Sequence, residues 1–378
     1  MILEKLQRPI NPSSYITEID GFRFFAIFTV CLLHFNNFYG KSVGYDYYAE
    51  VRDVNSWSWF INRCGLGVEI FFAISGFVIA MPYFKHYLAG KEKPRFKPYF
   101  TRRLTRLEVP FILSCLIIFI MYVVTIKGNF LSEIGHFLAT ITYTHLFIYG
   151  QWPPFNPVTW SLEVEIQFYL LAPFIIHFLL NNPNKYIRIT KFSGLFAFSL
   201  IMKYYFLDEL KEVHLQMSLL TSLHYFLVGF ILAYMYIRHK NFLLKKDLFW
   251  DIIGILCFYL LFYYIWQSNQ LWFCIALLFL FISIFKGRVF NWFCTRKVIY
   301  IIGGMCYSIY LLHYPLFHFV GKLTKGVIIS DYFYYNYLIQ LILVFPIVIT
   351  ICSLYFVLVE RPCMDKQWIQ KLKQKIIG

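Results

Sequence analysis

Ten apolar runs, each long enough to cross a bilayer, leave this chain of 378 residues little choice of fold. A hydrocarbon core about 30 Å thick needs ~20 apolar residues in a helix, because lipid offers no partner to an open backbone. Such runs fall at 20–38, 66–84, 107–126, 160–180, 192–207, 219–237, 248–266, 270–285, 298–320 and 337–359. The chain is 59% hydrophobic and only 15% charged, with a mean hydropathy of +0.59. Soluble domains carry about a quarter charged residues. The expectation is an all-α polytopic membrane helix bundle of about ten transmembrane helices. Residues 1–378 then form a single domain in the lipid bilayer, since no polar block is large enough for a second, soluble one.

Basic loops set the orientation. Between Lys85 and Arg106 there are eight Lys or Arg against one acid, Glu92, which assigns that loop to the cytoplasm and with it the N-terminus. The stretches 181–191, 238–247, 286–297 and the tail after Glu360 are also basic, whereas 208–214 is acid-rich. All the basic stretches share one side only if the ambiguous run 134–149 does not cross. Residues 127–159, with the helix-breaking QWPPFNPVT, are therefore expected as an external, non-spanning segment, and both termini as cytoplasmic. The formal charge of +15 belongs to these loops, so no nucleic acid partner is expected. Nine scattered cysteines show neither a disulfide framework nor zinc spacing, and no metal is expected. Residues 1–19 lack the apolar core of a cleavable signal peptide.

Polar groups inside the spans carry the functional signal. In DGFRFFAIFTVCLLHF, Asp20 to Phe35, Arg23 and His34 stand eleven positions apart on one helix face, about three turns or roughly 16 Å. An ionisable group in a membrane helix costs roughly 2.5–3.5 kcal/mol, so each is a candidate by default. At the outer depth fall His34, Glu69 of the second run, Glu163 and Glu165 of the fourth, and His313 of the ninth, while Ser75, Ser161 and Tyr310 lie in the same second, fourth and ninth runs. Glu163 and Glu165 point about 200° apart, so at most one faces a shared cavity, while Ser161 and Glu165 share a face. Singly, each group has a structural explanation in packing or helix-dipole pairing. Arg102, Arg103 and Arg106 taken alone are topology determinants. His136, His145, His177 and His224 are read as structural. Convergence of several costly groups at one depth raises the first set above that reading.

These blocks, in this order, resemble the acyltransferase-3 family of integral membrane acyltransferases. The basic residue, ten intervening positions and histidine of the family's first helix are matched by Arg23 and His34. FFAISGF (71–77) resembles its second-helix block, and RRLTR (102–106) its basic pair, through Arg103 and Arg106. WSLEVEIQFYLLAP matches a tryptophan-serine-leucine-acid block with Glu165 in the acid's place. YSIYLLHYP and VERPC match late blocks, so that the resemblance runs from about 15 to 363.

The resemblance implies transfer of an acyl group, most often acetyl, from cytoplasmic acetyl-CoA to a hydroxyl of an extracytoplasmic carbohydrate, a surface polysaccharide or lipid-linked sugar, in a bacterial inner membrane. On that basis Arg103 and Arg106, with Arg102 beside them, grip the CoA phosphates. Arg23 serves the donor end, and His34 takes the proton of the attacking hydroxyl or carries the acyl group covalently. Glu165 orients His34. Glu69, Ser75, Ser161, Tyr310 and His313 are weaker candidates for oxyanion or acceptor binding. Many relatives continue into a serine-hydrolase-like domain; this chain stops 18 residues after Glu360, so handing the group to such a domain would need a separate protein. The rival expectation, a secondary transporter of a lipid-linked sugar or small anion, calls for internal repeats with interrupted helices, and none is visible between the two halves.

Overall fold

A computed structural model describes residues 2–9, 15–45, 53, 56–126, 130–206, 213–267, 269–365 and 368. Among them every regular element is a helix. A helix stands at each of the ten apolar runs: α1 (Thr17–Val43), α2 (Gly67–Ala89), α3 (Phe96–Ile126), α4 (Trp160–Leu180), α5 (Lys185–Phe206), α6 (Leu219–Arg238), α7 (Phe249–Tyr264), α8 (Gln270–Lys286), α9 (Cys306–Thr324) and α10 (Phe333–Tyr355).

By length and composition, five segments are apolar enough to cross a membrane: Trp57–Ala89, Tyr99–Thr125, Pro157–Leu180, Val213–Arg238 and Phe333–Cys363. Two more qualify as bent pairs, α8 with Arg288–Cys294 at 80° and Lys297–Gly304 with α9 at 71°. The protein is therefore a multi-pass membrane protein with five to seven such spans. The other three helices fall short for physical reasons. Asp20, Arg23, His34, Asn36 and Asn37 dilute α1, bases and hydroxyls dilute α5, and α7 has only 16 residues.

Residues 130–159 form no long helix. Phe130–Ile141 has 12 residues, roughly 18 Å, and a left-handed Tyr143 (φ 57°) separates it from the five-residue helix His145–Tyr149. Residues 127–129, and 208–212 of the acid-rich stretch, lie outside the described residues, as does most of the basic tail.

The chain divides into two compact units. One comprises 1–67, 101–137 and 297–378, the other 68–100 and 138–296. In the first, α1 packs closely on the short helix Lys297–Gly304, where a Cβ on Gly303 would lie 1.7 Å from the Asp20 carbonyl oxygen. Only glycine lets the two backbones meet. The Tyr337 hydroxyl donates to Leu32 O at 3.1 Å, tying α10 to the middle of α1. A five-residue π turn, Phe356–Glu360, ends α10 and swings Glu360 inward.

In the second unit, α2 and α6 cross at Gly76 and Gly229, whose absent Cβ atoms would lie 2.1 Å from Phe226 O and 2.0 Å from Ala73 O. The buried Asp251 accepts the backbone N–H groups of Arg288, Val289 and Phe290 at 2.8–3.0 Å, which explains the sharp turn after α8.

Candidate functional site

At the start of α1, Asp20 is 1% exposed and is held by three donors. Arg8 donates through Nη1 at 3.1 Å, the Tyr15 hydroxyl at 2.8 Å, and Arg23 completes the set as an ion pair. Arg8 also donates through Nε to Gly304 O at 2.6 Å. Burial alone would lower the Arg8 pKa, but Asp20, then Cys306 and Glu360, more than offset it, so its pKa is raised. Burial and the Asp20 carboxylate likewise push the Tyr15 phenol well up, keeping it a proton donor.

A second buried carboxylate lies in the same unit. Glu360 accepts from Ser308 N at 3.1 Å and Ser308 Oγ at 2.5 Å, while its other oxygen has no hydrogen-bond partner among the described residues. Its electrostatic neighbours are Arg8 and Arg106. The Tyr307 hydroxyl, donating to Leu107 O at 2.9 Å, ties α9 to α3 beside Arg106. Three guanidiniums, from Arg8, Arg23 and Arg106, thus accompany two buried carboxylates. Arg102 and Arg103 stand on α3 with their side chains outside the described residues.

Eleven residues along α1 from Arg23, the half-buried ring of His34 faces His313 at a centroid distance of 5.3 Å and Tyr314 at 5.4 Å. Among the described residues His34 makes no hydrogen bond, so both ring nitrogens remain available. His313 is fully buried, and its Nδ1 lies 3.0 and 2.9 Å from the carbonyl oxygens of Ile309 and Tyr310. A carbonyl only accepts, so Nδ1 carries the proton and Nε2 keeps a lone pair, which has no partner among the described residues. Tyr310 is buried beside this ring, 5.9 Å between centroids.

In the other unit the two acids of α4 diverge. Glu165 accepts at Oε1 from the hydroxyls of Ser75 (2.5 Å) and Tyr169, and its second oxygen makes no hydrogen bond among the described residues. Glu163 is 3% exposed and takes the Leu146 N–H at 3.3 and 3.1 Å on its two oxygens, capping the helix His145–Tyr149. Ser161 is buried one turn before Glu165. Glu69 stands in the first turn of α2 with a buried, unpartnered Oε2.

The structure thus gathers Arg23 and Arg106 about one carboxylate cluster, sets His34 beside His313 and Tyr310, and joins Ser75 to Glu165. Reasoning from sequence missed Arg8, Asp20, Tyr15, Ser308 and Glu360 as members of the cluster, and Tyr169 as a ligand of Glu165. The acid three residues before Arg23 was the available signal for Asp20. The described residues contain no group of three or more His, Cys, Asp or Glu suited to a metal ion, and the nine cysteines are free and buried.

Comparison with known proteins matches residues 16–357 to the acyltransferase-3 family, described as an acyltransferase domain. The chain is 28% identical over 350 residues to the O-acetyltransferase OatA of Staphylococcus aureus strain NCTC 8325, covering 85% of this chain and 53% of that relative. It is 27% identical over 350 residues to a putative O-acetyltransferase of S. aureus strain COL, covering 85% and 54%. The chain therefore spans about half the length of the curated relatives it matches. No solved structure matches.

Proposed function

Since the chain belongs to the acyltransferase-3 family, we propose that it is a membrane O-acetyltransferase. It moves an acetyl group from cytoplasmic acetyl-CoA to a hydroxyl of an extracytoplasmic carbohydrate. The observation that carries this reading is α1, a helix about 40 Å long with a guanidinium cluster at one end and, further along, an imidazole that makes no hydrogen bond among the described residues. The family match weighs against the transporter.

The finer topology is part of the proposal. Ten crossings and cytoplasmic termini rest on the basic loops, and a non-crossing 127–159 is further supported by the relation of α2 to α4. Ser75 meets Glu165 and Tyr87 meets His177, at the same sequence offset of 90 residues, so the two helices run parallel. Parallel spans need an odd number of crossings between them. With α3 crossing, 127–159 does not. A bacterial inner membrane is the location that suits an acyl-CoA donor and an external acceptor.

In the proposed reaction, Arg106, Arg103 and Arg102 bind the donor's phosphates, and Arg8 and Arg23 add positive charge held in place by Asp20. His34 removes the proton from the acceptor hydroxyl as its oxygen attacks the thioester carbon. The new C–O bond forms, the C–S bond breaks, and the proton passes from His34 to the departing CoA thiolate. The variant with an acyl-histidine intermediate uses the same residue as nucleophile. His313 positions His34, with Tyr310 beside it. Glu165 is assigned a catalytic role from its place in the family block alone, and Ser75 and Tyr169 hold it. Ser161 and Glu69 are assigned to the acceptor side.

The deciding experiment mixes the detergent-purified chain with acetyl-CoA and a panel of sugar acceptors. Acceptor-dependent CoA release with an acetylated sugar as product supports the enzyme. Binding of acetyl-CoA without any transfer overturns it. Comparing acetylation of the host's surface polysaccharide with and without the gene then identifies the acceptor.

A further inference from the structure

Three polar side chains in the unit of 68–100 and 138–296 have no role in the chemistry above beyond a general assignment of Glu69. His224, on α6, is fully buried. The Ser199 hydroxyl on α5 lies 2.9 Å from both Leu220 O and His224 Nδ1, and accepts the His224 backbone N–H at 3.1 Å. That hydroxyl has one proton, and a carbonyl has none to give. Both contacts are hydrogen bonds only when Ser199 donates to Leu220 and the His224 Nδ1–H donates to Ser199. His224 Nε2 is then a bare acceptor, buried and without a partner among the described residues.

Glu69 presents a second such acceptor, since its Oε2 is buried and unpartnered. Lys203, in the last turn of α5, is an electrostatic neighbour of both Glu69 and His224. Yet Lys203 and Glu69 form no ion pair and Lys203 makes no hydrogen bond among the described residues. The surroundings are rigid: α2 meets α6 backbone to backbone at Gly76 and Gly229, and the neighbouring Tyr225 donates to Gln270 Oε1 at 2.9 Å. Leaving a buried polar group unmatched is costly, so two acceptors and a cation kept apart in a firm frame point to something that fits among them.

We propose that Glu69, Lys203 and His224 form a binding site for the hydroxyl groups of an uncharged polyol, the sugar that accepts the acyl group. An anion would meet the Glu69 carboxylate and the His224 lone pair. A cation would meet Lys203. Neighbouring hydroxyls suit all three, donating to Glu69 Oε2 and His224 Nε2 while accepting from Lys203 Nζ. Identifying the polyol with the acceptor rests on the acyltransferase reading; the hydroxyl site does not.

The test titrates the purified 378-residue chain with methyl glucoside, methyl galactoside and inositol, with glucose 1-phosphate and choline as charged controls, following thermal stabilisation and tryptophan fluorescence. At least one neutral polyol is expected to bind, and the charged probes are not. Glu69→Gln, Lys203→Met and His224→Phe should each weaken binding by about tenfold or more. Lys203→Arg should restore what Lys203→Met loses, which misfolding would not explain. In turnover, the variants raise KM for the sugar and leave KM for acetyl-CoA at its original value. A wild-type chain that binds none of the neutral polyols, or variants that bind them unchanged, overturns the site. Polyol binding without acetyl transfer would sink the acyltransferase reading and leave the site standing; transfer with an unchanged acceptor KM in the variants would do the reverse.

Discussion

The hydroxyl of Tyr87 lies 2.6 Å from His177 Nδ1, twelve residues further along both helices than the contact of Ser75 with Glu165. Two contacts in register make α2 and α4 parallel neighbours, and that direction constrains every loop after them. Tags at Lys91, Lys185, Lys240, Lys286 and the C-terminus are expected to report the cytoplasm, and one at Gln151 the outside. A cytoplasmic Gln151 is incompatible with ten crossings.

Donor binding is expected to depend on the guanidiniums in graded fashion. Replacing Arg103 and Arg106 by Gln should raise KM for acetyl-CoA, with a smaller effect on donor analogues lacking the nucleotide phosphates. Equal losses with truncated donors would make the pair structural. Asp20→Ala is a different lesion, because it strands Arg8 and Arg23 around a missing charge. A loss of roughly 3 kcal/mol is expected, read as a lower melting temperature, since removing one member of a buried ion cluster leaves the others uncompensated. An unshifted melting temperature would show that the cluster carries little stability.

Much of this architecture can be read from residues alone, and the exceptions have physical causes. Helices stand at all ten apolar runs because lipid admits little else, and the divergence of Glu163 from Glu165 follows from helical geometry. Arg8 was invisible because it sits in a polar leader and finds Gly304 across 296 residues of sequence. Glu360 lies in a late family-like block, and the π turn that aims it at Ser308 has no signature in apolar periodicity. His224 read as a packing histidine, and only the Ser199 contact reveals an unpartnered nitrogen. Apolar periodicity likewise carries no mark of the 71° bend between Gly304 and Cys306, one residue after the Gly303 that meets Asp20.

The two acids of α4 should separate cleanly in assay. Glu165→Gln is expected to remove most turnover at unchanged membrane levels, and Ser75→Ala or Tyr169→Phe to lower it less, since each deletes one of two hydroxyls on the same oxygen. Glu163→Gln should be tolerated, because an amide oxygen still accepts the Leu146 N–H. Glu163→Ala should instead loosen the His145–Tyr149 turn, seen as new protease sensitivity there. Greater sensitivity of turnover to Glu163→Gln than to Glu165→Gln would exchange their roles.

His34 carries the heaviest claim. An imidazole with no hydrogen bond among the described residues is an odd thing to keep in a membrane helix unless a ligand supplies the partner. His34→Ala should therefore slow acetyl transfer by about 10² to 10⁴, the usual worth of a positioned proton acceptor, while leaving the affinity for a non-hydrolysable acetyl-CoA analogue nearly intact. Arg23→Ala should weaken both, because it removes charge from the donor end. His313 touches His34 only by its ring, so His313→Gln should lower turnover less than His34→Ala and leave KM for acetyl-CoA unchanged. Equilibrium binding of the analogue and single-turnover transfer, measured on the same preparations, separate these outcomes. Transfer by His34→Ala at the wild-type rate would make His34 a packing residue and move the search for the base to His313, whose ring faces His34 and whose Nε2 has no partner among the described residues.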